Sequence, residues 1–214
     1  SESANLQLFQ SQYFISEAKV DQFKDDIQHQ TSEFFIVDST ISSACIENWT
    51  TAKAVDNDEI TVFDQTGIFL LAYHYRLIEC VAEMKHSSEL LAIVNRLLNV
   101  CSVDQAIRYD IACSFCKTIA TSSIGAKVAE LNLQNVINTF HGFSHDCHYQ
   151  LQNHPLYLNG LRLEDLKTYE YIFTSLNSVV VLIRHVSYFH WMQFLDLHFN
   201  QWNMNRYFDL SMSF

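Results

Sequence analysis

A chain of 214 residues, about half of them apolar, can bury one good core but falls short of two full ones. Four Gly and a single Pro are too few to punctuate a sandwich of short strands, which disfavours an all-β fold and points to α/β architecture or long helices. The net charge of −11, from 24 acidic and 13 basic residues, repels nucleic acid at long range and weighs against autonomous DNA binding.

The remaining bulk features bound the setting. The densest apolar stretches, Gly67 to Tyr73 and Val179 to Ile183, are core-sized and far below the roughly 20 residues of a bilayer span, so no membrane segment is expected. The first residues lack a basic n-region and an apolar h-region, and the start at Ser1 reads as a piece of a longer protein. Six scattered cysteines without a secretory signal suggest free thiols or metal ligands rather than a disulfide framework, and hence an intracellular, reducing compartment.

In chain order, residues 11 to 34 carry apolar positions at loosely helical spacing, with Phe14, Val20, Phe23 and Ile27 facing inward. Phe34 to Val37 reads as a short strand, and the Ser/Thr cluster Ser39 to Ser43 begins a turn or caps a helix holding Cys45 and Trp49. Ile60 to Glu83, rich in β-branched and aromatic residues and broken at Asp64-Gln65-Thr66-Gly67, predicts two or three strands. Ser87 and Ser88 then offer N-caps for an amphipathic helix whose Leu90, Ile93, Val94, Leu97 and Leu98 share one face. Ala106 to Cys113 reads as a short buried strand carrying Asp110. A second helix covers Ile124 to Leu133, and Val136 to Phe140 leads into a His-rich loop. From Leu161 onward the pattern is helical, including Val179 to Trp202, with apolar residues on nearly every side, which calls for packing against the sheet or a partner. Strands followed by a helix and a further strand are the order of a ribonuclease-H-like sheet. The expected organisation is one domain over 1–214, with a sheet-containing core at about 60–140 and a helical part at about 161–214.

Two constellations carry possible chemistry. Asp64, in FDQTG, and Asp110, in YDIAC, converge if their strands are neighbours, and paired carboxylates holding Mg²⁺ or Mn²⁺ ions activate a nucleophile in phosphodiester transfer. Asp64 also reads as a turn carboxylate capping the Thr-Gly bend. Asp110, in an apolar strand, calls for a functional or ion-paired role because a buried unpartnered charge is costly. The second set is His141, His145, Cys147, His148 and His154, with Cys113-x-x-Cys116. It offers Zn²⁺-type ligands or, more plainly, a polar loop of satisfied histidines. His185, His190 and His198 read as packing residues among aromatics. No Walker loop, dinucleotide-binding glycine fingerprint or G-x-S-x-G elbow occurs.

The ordered segments SQYFISEAKVDQFKDDI, CIENWTTA, FDQTGIF, SSELLAIVNRLLNV, RYDIACSF, NTFHGFSHDCHYQLQNHPLYLNGLRLEDL and RHVSYFHWMQFLDLHFNQW resemble the fungal Kyakuja-Dileera-Zisupton transposases over nearly the whole chain. The resemblance implies an α/β, ribonuclease-H-like mixed sheet with flanking helices and a long helical C-terminal part. It also implies a nuclear, DNA-cleaving and strand-transferring ancestor in which two Asp and one Glu bind divalent metals, with Cys/His positions for zinc. The second catalytic Asp carries over to Asp110. The first falls at about Ser1 and is absent or truncated away. The Glu falls at Lys167, whose cation opposes metal binding; Glu164, Asp165 or Glu170 substitute only if the helix shifts register. Of the zinc-type positions, Cys45, His141 and His145 match. The family's C-R-H is Tyr73-His74-Tyr75 here, and its Cys before Gln150 is Tyr149. The expectation is a catalytically impaired transposase core. The alternatives are a domesticated module that binds a protein partner, and a nuclease completed by residues outside this chain.

Overall fold

The computed structural model describes residues 9–27, 67–85, 88–110, 112–138, 142, 147–161 and 167–213. They form a mixed α/β protein with two small sheets, and the chain falls into two compact units. One contains the described residues of Ser1–Ile15, Ile68–Ala82 and Asp165–Phe214; the other contains those of Ser16–Gly67 and Glu83–Glu164.

The first unit is built on a hairpin of β1 (Ile68–Ala72) and β2 (Ile78–Glu83). The turn closes where the Tyr73 N–H donates to the Leu77 carbonyl at 2.8 Å, and Arg76 within it takes a left-handed φ of 67°. The other edge of β2 is covered twice. Residues 13 to 15 run parallel to it: the Val81 N–H donates to the Tyr13 carbonyl, and the Ile15 N–H to the Val81 carbonyl. At Ile78 the Asn203 side chain takes the place of a neighbouring strand. Its Oδ1 accepts from the Ile78 N–H and its Nδ2 donates to the Ile78 carbonyl, both at 2.8 Å. Both halves of one peptide position are thereby satisfied by a single amide, which removes an exposed strand edge.

Asn203 lies on α7 (Tyr188–Met212), which follows α6 (Thr168–Ile183) after a four-residue break. The two helices and the hairpin share one core: Tyr13, Ile78, Val81, Ile172, Leu176, Ile183, Leu195 and Phe199. Further ties hold its rim. The Trp202 indole donates to the Arg76 carbonyl at 2.7 Å, the Arg76 guanidinium lies 3.9 Å from the Tyr171 ring centre, and Asp196 accepts from the Ser11 hydroxyl and the Gln12 N–H.

The second unit contains α1 (Glu17–Asp21), α2 (Glu89–Val100), β3 (Ala106–Arg108), α3 (Ala112–Thr121), α4 (Gly125–Glu130), β4 (Gln134–Val136) and α5 (Cys147–Asn153). β3 and β4 are parallel, with Ala106, Ile107 and Arg108 opposite Gln134, Asn135 and Val136. Parallel neighbours need a crossover, and α3 with α4 supplies it. At the entry to the pair, Asp104 and Asn132 both take left-handed φ values, 60° and 51°, which their short polar side chains tolerate. The Asn132 amide donates to the Asp104 carboxylate at 2.7 Å, tying the two strand entries together. α2 buries Leu91, Ala92, Ile93, Val94, Leu97 and Leu98, a wider face than the predicted stripe, with Leu90 at its margin.

Several expectations are corrected. Residues 11 to 16 bend and then run alongside β2 rather than forming a helix, because the Ser11 hydroxyl accepts from the Tyr13 and Phe14 N–H groups and Phe14 bridges to Val81. Val20 and Phe23 are buried as expected. Ser88 occupies the N-cap position of α2, yet its hydroxyl makes no capping bond; the Glu89 carboxylate instead accepts from the Lys85 N–H at 2.8 Å. The strand predicted over Ala106 to Cys113 stops at Arg108, and α3 follows. Part of the predicted His-rich loop is α5, and the run from Val179 to Trp202 breaks at residues 184–187. The elements expected at residues 34–37 and 39–49, and any strand at residues 60–66, lie outside the described residues.

Candidate functional site

Asp110 stands two residues beyond β3, in the turn that leads to α3. The ladder runs one residue past the strand, since the Tyr109 N–H donates to the Val136 carbonyl at 3.1 Å. That fixes the backbone immediately before the acid. The Tyr109 ring meets Phe115 of α3 edge-on, with centroids 5.4 Å apart, so strand end and helix start are held by one aromatic contact. Burial, and then the Asp110 charge, pushes the Tyr109 phenol above its ordinary value. Asp110 itself is half-buried. A carboxylate just ahead of a helix N-terminus is favoured by the unpaired N–H groups there. The carboxyl end of parallel strands is also where open α/β sheets bind ligands. Asp110 therefore occupies a turn rather than the apolar strand expected for it, and its partial exposure relieves the cost of burying a charge.

The other predicted residues are distributed differently. Asp64, Cys45, His141 and His145 lie outside the described residues, as do Ser1, Glu164 and Asp165. Lys167 is the N-cap residue of α6 and Glu170 is exposed in the first turn of that helix. Asp110 belongs to one compact unit, Lys167 and Glu170 to the other. Among the described residues no group of three His, Cys, Asp or Glu side chains is arranged to hold a metal ion.

The zinc-type set resolves into separate roles where it is described. His154 is buried and its Nδ1 accepts from the Leu156 N–H at 3.2 Å, which caps the short 3₁₀ turn Pro155–Tyr157 and occupies one of its two possible ligand atoms. Gly142 sits against that ring so closely that a Cβ there would lie 2.6 Å from the imidazole Cδ2. Cys147 is an exposed free thiol. Cys116 faces the Tyr149 hydroxyl at 3.8 Å, and burial raises its thiol pKa above the ordinary value. In the sequence Tyr149 stands out only as a departure from the family pattern, and nothing in its spacing announces this contact. Of the three late histidines, His198 is half-buried beside the Ser175 hydroxyl, while His185 and His190 are exposed, which corrects their reading as packing residues.

A mixed α/β protein with an acid at the carboxyl end of a parallel strand pair is the class that fold and site define. The model of the family described as Kyakuja-Dileera-Zisupton transposase matches residues 1–203. The chain belongs to that family. No curated protein and no solved structure matches it. No helix among the described residues is long and apolar enough to cross a membrane.

Proposed function

We propose that the chain is the ribonuclease-H-like core of a fungal-type transposase, derived from an enzyme of nuclear, metal-dependent DNA strand cleavage and transfer, and impaired in that reaction. The observation that carries the reading is the placement of Asp110 just beyond the first of two parallel strands, in the element order hairpin, helix, strand, helices, strand. Ribonuclease-H-like sheets take that order, and Asp110 is the residue onto which the second metal-binding Asp carries over. Impairment is supported by Lys167, a cation where an anion is required, and by a net charge of −11, which opposes approach of a DNA backbone. The Zn²⁺ positions Cys45, His141 and His145 belong to the same proposal, with Tyr149 in place of a further Cys.

A second reading has its own observation in favour. Thirteen large apolar side chains on α6, α7 and the turn between them are exposed, as a module retained for contact with a protein partner would require. A nicking assay on supercoiled DNA with Mg²⁺ or Mn²⁺ separates both readings from an active nuclease completed by residues outside this chain. The expected outcome is no cleavage above background for the chain and none for Asp110→Asn, with cleavage still absent when Lys167→Glu alone is introduced. Metal-dependent nicking by the chain, abolished by Asp110→Asn, would overturn impairment.

A further inference from the structure

α7 is apolar on two opposite faces, and the core uses one of them. Trp191, Leu195, Phe199 and Trp202 point to the core of their own unit. On the other side Phe194, Leu197, Met204 and Phe208 are exposed, Leu197 and Phe208 each by 65%. Together with Gln201 and Ser211 these residues recur at alternating intervals of three and four, the spacing of a coiled-coil seam. In heptad terms Phe194, Gln201 and Phe208 are a positions, while Leu197, Met204 and Ser211 are d positions. Exposed Tyr207 and Met212 flank the stripe at g and e.

We propose that this stripe pairs with the same stripe of a second copy of the chain, in parallel and in register. Charge argues for a copy rather than an unrelated partner. The chain carries −11 overall, so two copies repel at most surfaces, yet the charged side chains of α7, Asp196, Arg206 and Asp209, all fall off the seam and off the flanking e and g positions. Asp209 pairs with Arg206 at 2.9 Å, and Asp196 is engaged by Ser11 and Gln12. Two copies meet there without setting like charges opposite each other.

The polar layer argues for register. Gln201 interrupts an apolar stripe, and its side-chain amide now donates to Asn205 at 2.9 Å along the helix. In a parallel pair a residues face a residues, so the glutamine of one copy meets that of the other and every apolar layer meets an apolar layer. A one-heptad shift of the parallel pair sets Gln201 against Phe194 or Phe208, and an antiparallel pair, in which a residues face d residues, sets it against Leu197, Met204 or Ser211. A buried polar a residue serves that purpose in two-stranded coils, at some cost in stability. The area is adequate as well. Six half-exposed apolar side chains present on the order of 600 Å² per copy, about 1,200 Å² for the pair, at the lower edge of stable interfaces. The helix is already folded against its core, so pairing does not bear the cost of helix nucleation.

Sedimentation equilibrium of the 214-residue chain tests this. The expected result is a reversible rise to twice the chain mass across the micromolar range. Leu197→Asp with Met204→Asp abolishes that rise at unchanged circular dichroism and thermal midpoint, since both side chains are exposed in the single copy. Gln201→Leu tightens association and admits larger oligomers. A folded chain that stays monomeric, whether or not another protein occupies the stripe, would overturn the proposal, as would a dimer indifferent to the two Asp substitutions. A monomer whose thermal midpoint falls with them shows the stripe covered by its own chain and overturns it too. Indifference to Gln201→Leu overturns the parallel register.

Discussion

The two compact units are built on different kinds of strand pair. The hairpin unit has an eight-residue core of large apolar side chains, and its strand edge is closed by side-chain bonds from α7: Asn203 to Ile78, and Asp196 to the segment ahead of Tyr13. The parallel unit has a strand pair of only three residues a side, its entry tied by the Asp104–Asn132 contact, and much of its burial lies in the surrounding helices, where Leu91, Val94 and Ile119 are almost fully buried. Asp110 follows the shorter strand pair.

The largest effect that would break this comparison is on Phe199. It is fully buried and meets the Tyr13 ring edge-on at 5.7 Å between centroids, so Phe199→Ala removes an aromatic side chain where neighbours from the hairpin and α6 cannot all close in. The expected loss is about 3–5 kcal/mol by denaturant unfolding, with amide protection falling first at Ile78 and Val81. Ile107→Ala in β3 is expected to cost less, about 2 kcal/mol, because so short a strand leaves neighbours freer to collapse. Equal losses at the two positions would deny that the short strand relaxes more readily than the hairpin core.

What the sequence allowed follows the same division. The helix α2 was legible because five apolar residues fall on one face within a charged segment, and the hairpin was legible from its β-branched and aromatic density. The extended segment before Ser16 was not, because its pairing to Val81 is non-local and its apolar spacing mimics a helix. α3 was hidden for a related reason: AIRYDIAC reads as one apolar run, and only the turn at Asp110 divides strand from helix. Asp110 was found through its isolation in that run, but its neighbours were not, since the contact of Tyr109 with Phe115 depends on how the crossover returns. Asn203 gave no signal at all; an asparagine in a long helix looks like a solvated position until the strand it serves is folded beside it.

A smaller effect sharpens the account of the hairpin unit. Burial lowers the pKa of His198, which lies beside Ser175 on the facing helix. As pH falls through about 6.5, the unfolded chain binds a proton there while the folded chain resists it. The unfolded state then holds more protons, so stability is full above that pH, declines as pH drops toward the lower folded value, and levels off beneath it. His198→Gln should narrow the difference in thermal midpoint between about pH 8 and about pH 5. The histidine is half-exposed, so the narrowing is modest, and an unchanged difference would show that the acid sensitivity of this unit arises elsewhere.

The smallest expected effect bears on the candidate site. Burial and the Asp110 charge both hold the Tyr109 phenol in its protonated form, and they respond to different substitutions. Asp110→Asn removes the charge and leaves the burial, so Tyr109 should ionise at lower pH, though still above an ordinary tyrosine. The change is read as the phenolate absorbance difference between each protein and its Tyr109→Phe counterpart, which cancels the other nine tyrosines. Because it is a charge effect at a half-buried site, added salt should shrink the difference between the parent chain and the Asp110→Asn variant without moving the part due to burial. If Asp110→Asn leaves Tyr109 where it was, the carboxylate is turned away from the strand end, and the site loses the geometry on which its assignment rests.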